Sequence, residues 1–274
     1  MIHRTESEEN MLQVVVSWAL DEEPEAVAVL LAGSRARGEA QNFSDVDITT
    51  VTIQTPKCSY RTLFLENDHN QLTHVSMGAQ SLQDWQMEHE QPVDWSMFLP
   101  AEEHYRVLWV RPNYEYLFSY GKINHPAPGM EVEDFLEYVS KAKNAWLHRD
   151  DIGVRWSAME AAKYLPGILK PLNPEIAAKN KMDALKLALS LPVTPENYQN
   201  DMMICLGLIP VDDTRKIMEA LLRLALGAIK MIKDKALEFS ELIGQPYIPE
   251  YIYNGTVERY LLQGIDDLGI TVVK

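Results

Sequence analysis

LLAGSRARGEAQNFSDVDITTVT, residues 30–52, holds two strand signals separated by a loop of about a dozen residues. The stretch opens at the end of AVAVLLAG (26–33), a short apolar run closed by glycine, the pattern of a buried strand. It ends in DVDITTVTI (45–53), alternating and rich in Val, Ile and Thr, which reads as a second strand. Side chains on a strand alternate between faces, so Asp45 and Asp47 are expected on one side, with Val46 and Ile48 in the core. Two like charges side by side repel unless a cation sits between them. Mg2+ is the natural cation, because it takes carboxylate oxygens together with substrate phosphates. Two such ions about 3.5–4 Å apart can clamp an in-line phosphoryl transfer. Gly33-Ser34 complements the acids: the bend turns tightly and presents amides and a hydroxyl to a phosphate. Arg35 and Arg37 follow directly, and either can neutralise a triphosphate tail.

Working outward, TESEENMLQVVVSWAL (5–20) has helical periodicity, with Thr5 and Glu8 spaced as a capping box. RTLFLEN (61–67) and LTHVSMG (72–78) read as a hairpin around the turn DHNQ, SLQDWQMEHE (81–90) as a helix, and YRVLWVRP (105–112) as a last strand. NHPAPGM (124–130) has the composition of a linker. Beyond it the strand patterns stop, and four long segments between 132 and 244 are helical in period. The fold class expected is α+β. Residues 1–125 would form a domain with a mixed β-sheet and flanking helices, and residues 126–274 an all-α helical bundle. The aromatic tail PYIPEYIYNGTVERYLLQ (246–263) is expected to pack back on a neighbour.

A hydrophobic fraction of 46% and a charged fraction of 24% over 274 residues are those of a globular protein. The net charge of −15 argues against a clamp for long nucleic acid, which needs a basic stripe. It also raises the local concentration of cationic ligands, besides serving solubility. Cys58 and Cys205 fit no metal spacing and are expected as buried free thiols of a reducing compartment. The first residues carry no apolar signal core, and no run approaches the roughly 18 apolar residues of a membrane span, so the cytoplasm is the expected location. The sequon Asn254-Gly255-Thr256 is read as chance. His148 with Asp150 and Asp151 reads as a solvated helix end. Trp146 and Trp156 are expected in the helical core, as are Met202, Met203, Met218 and Met231. Glu22, Glu23 and Glu25 read as a polar turn.

Gly-Ser, about a dozen residues, then Asp-hydrophobic-Asp is the signature of the nucleotidyltransferase superfamily that includes DNA polymerase beta. Gly33, Ser34, Asp45 and Asp47 resemble it, with Ser44 before the first aspartate as in many members. The architecture is most similar to kanamycin nucleotidyltransferase and related aminoglycoside-modifying proteins, where Arg37 falls at a phosphate-contacting arginine. The resemblance implies transfer of a nucleoside monophosphate, AMP, from ATP or another NTP with Mg2+ to a hydroxyl of a small, cationic, aminoglycoside-like acceptor. Asp45 and Asp47 would hold the metal, and Gly33, Ser34, Arg35, Arg37 and Ser44 the nucleotide. The acceptor would enter between the two domains, and a symmetric homodimer is compatible, since that family builds its acceptor cleft across two chains. Two departures stand out. The third carboxylate of the family aligns with Thr73, next to His74, with Glu66 and Asp68 nearby as substitutes. The family's base falls in VSKAKNAWLH (139–148), which has no acid, leaving Glu137 on that helix and Glu160 on the next. Two rival readings stay open: AMP transfer to a protein or another small molecule, and a nucleotide-binding regulator that has lost turnover.

Overall fold

The computed structural model describes residues 3–5, 7–41, 43–67, 71–90, 103–118, 122–123, 132–234 and 254–263. The chain divides into two units, Met1–Val93 with Glu102–His125, and Asp94–Ala101 with Pro126–Lys274. The linker read at 124–130, the turn residue Asp68 and residues 246–253 of the aromatic tail lie outside the described residues.

The first unit is built on strands β1 (His3–Thr5), β2 (Ala26–Leu31), β3 (Val46–Thr52), β4 (Tyr60–Asn67), β5 (Leu72–Ser81) and β7 (Arg106–Val110), in the order β1-β4-β5-β3-β2-β7. Helices α1 (Glu8–Glu22), α2 (Gly33–Ala36) and α3 (Leu82–Glu90) accompany them, with a small ladder of β6 (Glu103–His104) and β8 (Lys122–Ile123). The sheet is mixed: β3 runs parallel to β5 and β1 to β4, and the other pairs are antiparallel. The apolar period of α1 lays Met11, Leu12, Val15 and Ala19 on Val29, Leu31, Val46, Ile48, Leu65, Val75 and Met77. Ala28 and Leu30 alternate to the opposite side, where they cluster with Val51, Trp85, Tyr105 and Phe118. β2 is therefore buried along its whole length, as its unbroken apolar run predicts.

Three expectations for this unit need correction. The first helix starts at Glu8 with Ser7 as its cap, whose Oγ accepts from Asn10 N–H at 3.1 Å; Thr5 is drawn into β1 by pairing with Asn67. Glu23 is no part of a polar turn but 3% exposed, because Arg61 binds it at 2.9 Å while also holding Glu22 at 2.8 Å. Cys58 is exposed, on the loop before β4.

The second unit is helical: α4 (Val132–Leu147), α5 (Asp151–Leu169), α6 (Lys181–Ala188), α7 (Tyr198–Cys205), α8 (Thr214–Asp234) and α9 (Thr256–Leu262) among the described residues. Its core joins Phe135 and Val139 of α4, Ala158 and Leu165 of α5, and Leu221, Ala225 and Ile232 of α8. From the tail, Val257 and Leu261 enter this core, and Lys143 donates to the Tyr260 and Leu261 carbonyls at the end of α9. Trp146 packs on the core as expected, whereas Trp156 is 60% exposed. It sits two residues from both Val154 and Ala158, hence about half a turn off the buried stripe of α5. Met202 and Met218 are fully buried; Met203 and Met231 are only half-buried. Asp150 caps α5 through Gly153 N–H at 2.9 Å, and its neighbour His148 is exposed, the helix end expected there. Inside the bundle, Asp201 is buried against Cys205 and α8, held by both ends of the Arg223 guanidinium at 2.7 and 2.9 Å. Among the described residues, no helix is long and apolar enough to cross a membrane.

Candidate functional site

β2 delivers the chain to the site. Ala32 N–H donates to the Asp47 carbonyl at 2.8 Å, which carries the β2–β3 pairing one residue past the strand. The next residue, Gly33, takes φ +66°, a left-handed conformation that other L-residues adopt only at a cost. It bends the chain into the single helical turn α2. By helix geometry the first amides of that turn, on Gly33, Ser34 and Arg35, have no acceptor within it.

Gly33 is needed for a second reason: a Cβ built on it would lie 2.6 Å from Asp47 Oδ2. The bend and the carboxylate are therefore in contact, with no room for a side chain between them. The other carboxylate oxygen, Oδ1, accepts from Ser76 Oγ–H at 2.7 Å. Asp47 is half-buried on β3, with Val46 and Ile48 turned into the core. Asp45, expected on the strand, lies in the loop just before it and is exposed, because β3 begins only at Val46.

The loop that joins the two halves is held by its own side chains. Arg35 Nε and Nη2 donate to the carbonyls of Asp45 and Ser44, each at 2.9 Å, and Nη1 lies 3.4 Å from Glu8 Oε1. With its side chain only 11% exposed, Arg35 secures the loop. Ser44 has a similar part: its Oγ accepts from Gln41 N–H at 2.8 Å. Arg37 pairs with Glu39 at 2.9 Å, a salt bridge on a half-exposed carboxylate that a phosphate can outcompete.

The position of a third acid also needs correction. The parallel register of β3 and β5 sets Ser76 opposite Asp47; Thr73 lies three residues away, opposite Leu65 on β4. Glu66 is on β4, opposite Leu72, two strands from β3. Among the described residues no three His, Cys, Asp or Glu side chains gather as a metal cluster. At the bend the structure places one carboxylate, that of Asp47, with Asp45 in the loop two residues before it. Glu137 is exposed on α4 and ion-paired with Lys141 at 2.7 Å, and Glu160 pairs with Lys163 at 2.6 Å. Sequence reasoning missed Ser76 and the polar row beside it, Thr62 and His74, since LTHVSMG shows which residues alternate but not which strand residue they face.

Comparison with known proteins bears on the helical unit. Residues 131–234 match the family described as nucleotidyltransferase, substrate binding domain. No curated protein matches the chain. Among solved structures, a nucleotidyltransferase-like protein from Exiguobacterium sibiricum aligns over 86% of this chain and 78% of its own, at 15% identity and a TM-score of 0.40. The similarity to nucleotidyltransferases thus lies in the helical unit, over residues 131–234.

Proposed function

We propose that the protein transfers a nucleoside monophosphate, AMP, from a Mg2+-bound nucleoside triphosphate to a hydroxyl group of a small acceptor. The observation that carries this reading is the contact between the Gly33 bend and the Asp47 carboxylate, which puts anion-binding amides beside a cation-binding acid. Asp45 and Asp47 hold Mg2+, which when bound neutralises phosphate charge and orients the triphosphate. The Gly33 and Ser34 amides and the Ser34 hydroxyl bind phosphate oxygens. Arg37 releases Glu39 to neutralise the tail, while Arg35 and Ser44 keep the loop in shape around it. Ser76 fixes the Asp47 carboxylate by occupying Oδ1, leaving Oδ2 turned to the bend. Two donors suit one ion better than the two-ion clamp. Glu137 gains no support as a base, because its exposed carboxylate is bound by Lys141.

The acceptor is a hydroxyl-bearing small molecule, but its charge is a separate matter. Residues 131–234 hold 15 acids and 14 bases, whereas residues 1–130 hold 19 acids and 8 bases. The acidic balance therefore lies outside the matched substrate-binding segment and gives a cationic, aminoglycoside-like acceptor little support.

A second reading, a nucleotide-binding regulator without turnover, is favoured by the serine beside Asp47 where a third acid was expected. Calorimetry with ATP and Mg2+, followed by pyrophosphate release across a panel of polyols, amino sugars and proteins, separates the two. Metal-dependent binding with pyrophosphate release supports transfer. Binding without release for any acceptor supports the regulator, and no binding of any nucleotide defeats both.

A further inference from the structure

His74 lies on β5 two residues before Ser76, so both share the sheet face of Asp47. Its neighbours Val75 and Met77 are turned to the core, while His74 itself is half-exposed. Adjacent strands are about 4.8 Å apart and alternate residues about 6.6 Å, so His74 sits about 8 Å from Asp47 across the face. Asp45 immediately precedes the β3 residue that pairs with Val75, which puts it at the same end of the face as His74.

The imidazole is held from β4. His74 Nε2 is 2.7 Å from Thr62 Oγ1, and the Phe64 ring lies against it with centroids 5.3 Å apart. Thr62 settles the direction of that bond. Its hydroxyl has one proton, and it is 3.0 Å from the Val75 carbonyl, which can only accept. The Thr62 proton therefore goes to Val75, and the short bond to His74 requires Nε2–H to donate to Thr62. With Nε2 protonated, the neutral form of the ring carries its lone pair on Nδ1. Among the described residues Nδ1 has no hydrogen-bond partner. An imidazole oriented by a hydroxyl, with one nitrogen unprotonated on the polar face, is the arrangement of a general base.

We infer that His74 is the general base of the transfer, a proposal that rests on the nucleotidyltransferase reading above. The acceptor hydroxyl gives its proton to Nδ1 as its oxygen forms a bond to the α-phosphorus. The bond from that phosphorus to the bridging oxygen of the β-phosphate breaks, and pyrophosphate leaves with the electron pair. The imidazolium then returns its proton to water. Thr62 is a positioning residue, since it acts only through the ring.

Two measurements test this. Long-range 1H–15N spectra of 15N-histidine-labelled protein read the tautomer, with His74 expected as Nε2–H and shifting to a mixture in Thr62→Val. A Nδ1–H tautomer in the wild type overturns the proposal. Pyrophosphate release from ATP and Mg2+ is then compared in wild type, His74→Ala and His74→Gln over the polyol and amino-sugar panel. The expected result is a kcat lower by about 10²–10⁴-fold in both variants, with unchanged ATP affinity, and partial recovery of His74→Ala by added imidazole. A wild type that releases pyrophosphate while both variants match it overturns the base and leaves the transferase intact. Lost Mn2+ binding in His74→Gln also overturns the base, making the residue a ligand instead. A wild type inert with every nucleotide and acceptor defeats the transferase reading, and the base with it.

Discussion

Gly33 and Asp47 are in such close contact that a single added carbon at residue 33 would fall 2.6 Å from the Asp47 carboxylate. One residue turns the chain; the other supplies charge. The contact makes the bend and the acid a single piece of structure, and each can be perturbed separately.

Gly33→Ala meets both constraints at once. The left-handed φ alone costs an alanine about 1–2 kcal/mol, and the added Cβ pushes the Asp47 carboxylate away. Urea unfolding is expected to show at least that loss of stability, and calorimetry a weakening of Mg2+-ATP binding. Full stability with full affinity would mean that the bend relaxes without cost.

Ser76→Ala removes the donor to Asp47 Oδ1 and leaves the fold otherwise unchanged. A hydrogen bond to a charged group is worth about 1.5–3 kcal/mol; half-exposure of this pair reduces that to about 1 kcal/mol. The expected result is a modest drop in stability together with weaker metal-dependent nucleotide binding. Ser76→Asp adds a third carboxylate at the same spot and is expected to tighten Mn2+ binding while destabilising the metal-free protein.

Arg35→Lys keeps the charge but loses the fork that grips two carbonyls at once. Faster amide hydrogen exchange is expected across residues 38–45, with the β2–β3 ladder unaffected. If nucleotide affinity fell while loop exchange stayed constant, the side chain would be a phosphate ligand after all.

The two thiols differ in a way that a reagent can read. Burial, reinforced by Asp201, pushes the Cys205 thiol well above its ordinary range, while Cys58 is exposed. A thiol-specific colorimetric reagent should titrate one cysteine in the native protein and two after unfolding. The linkage has a definite sign. In the unfolded chain Cys205 ionises near pH 8.5, whereas the folded protein keeps it protonated. Its contribution to stability is therefore complete below that pH and is lost as the pH rises beyond it.

Local chemistry carried much of the fold in the sequence. The unbroken apolar run of β2, the alternation of β3 and the helical period of α5 and α8 each state their own environment, and the structure follows them. What the sequence hid depends on partners distant along the chain. Thr5 was lost as a cap because β1 pairs with β4 more than 60 residues on, and Glu23 is buried only because Arg61 reaches it. Trp156 was misjudged for a different reason: its size suggested core, but its angle on α5 points away from the buried stripe. The closeness of Gly33 to Asp47 could be anticipated from their order in the chain. That Ser76 faces Asp47 could not, because a parallel register between β3 and β5 has no local signature and a three-residue slip put Thr73 in its place.

The most direct measurement is calorimetric titration of ATP, with and without Mg2+, into wild type and the Asp45→Asn, Asp47→Asn double variant. The expected result is metal-dependent binding by the wild type and none by the variant, with circular dichroism showing the variant folded. Equal metal-dependent affinity in both would contradict the assignment of these carboxylates to the nucleotide's metal.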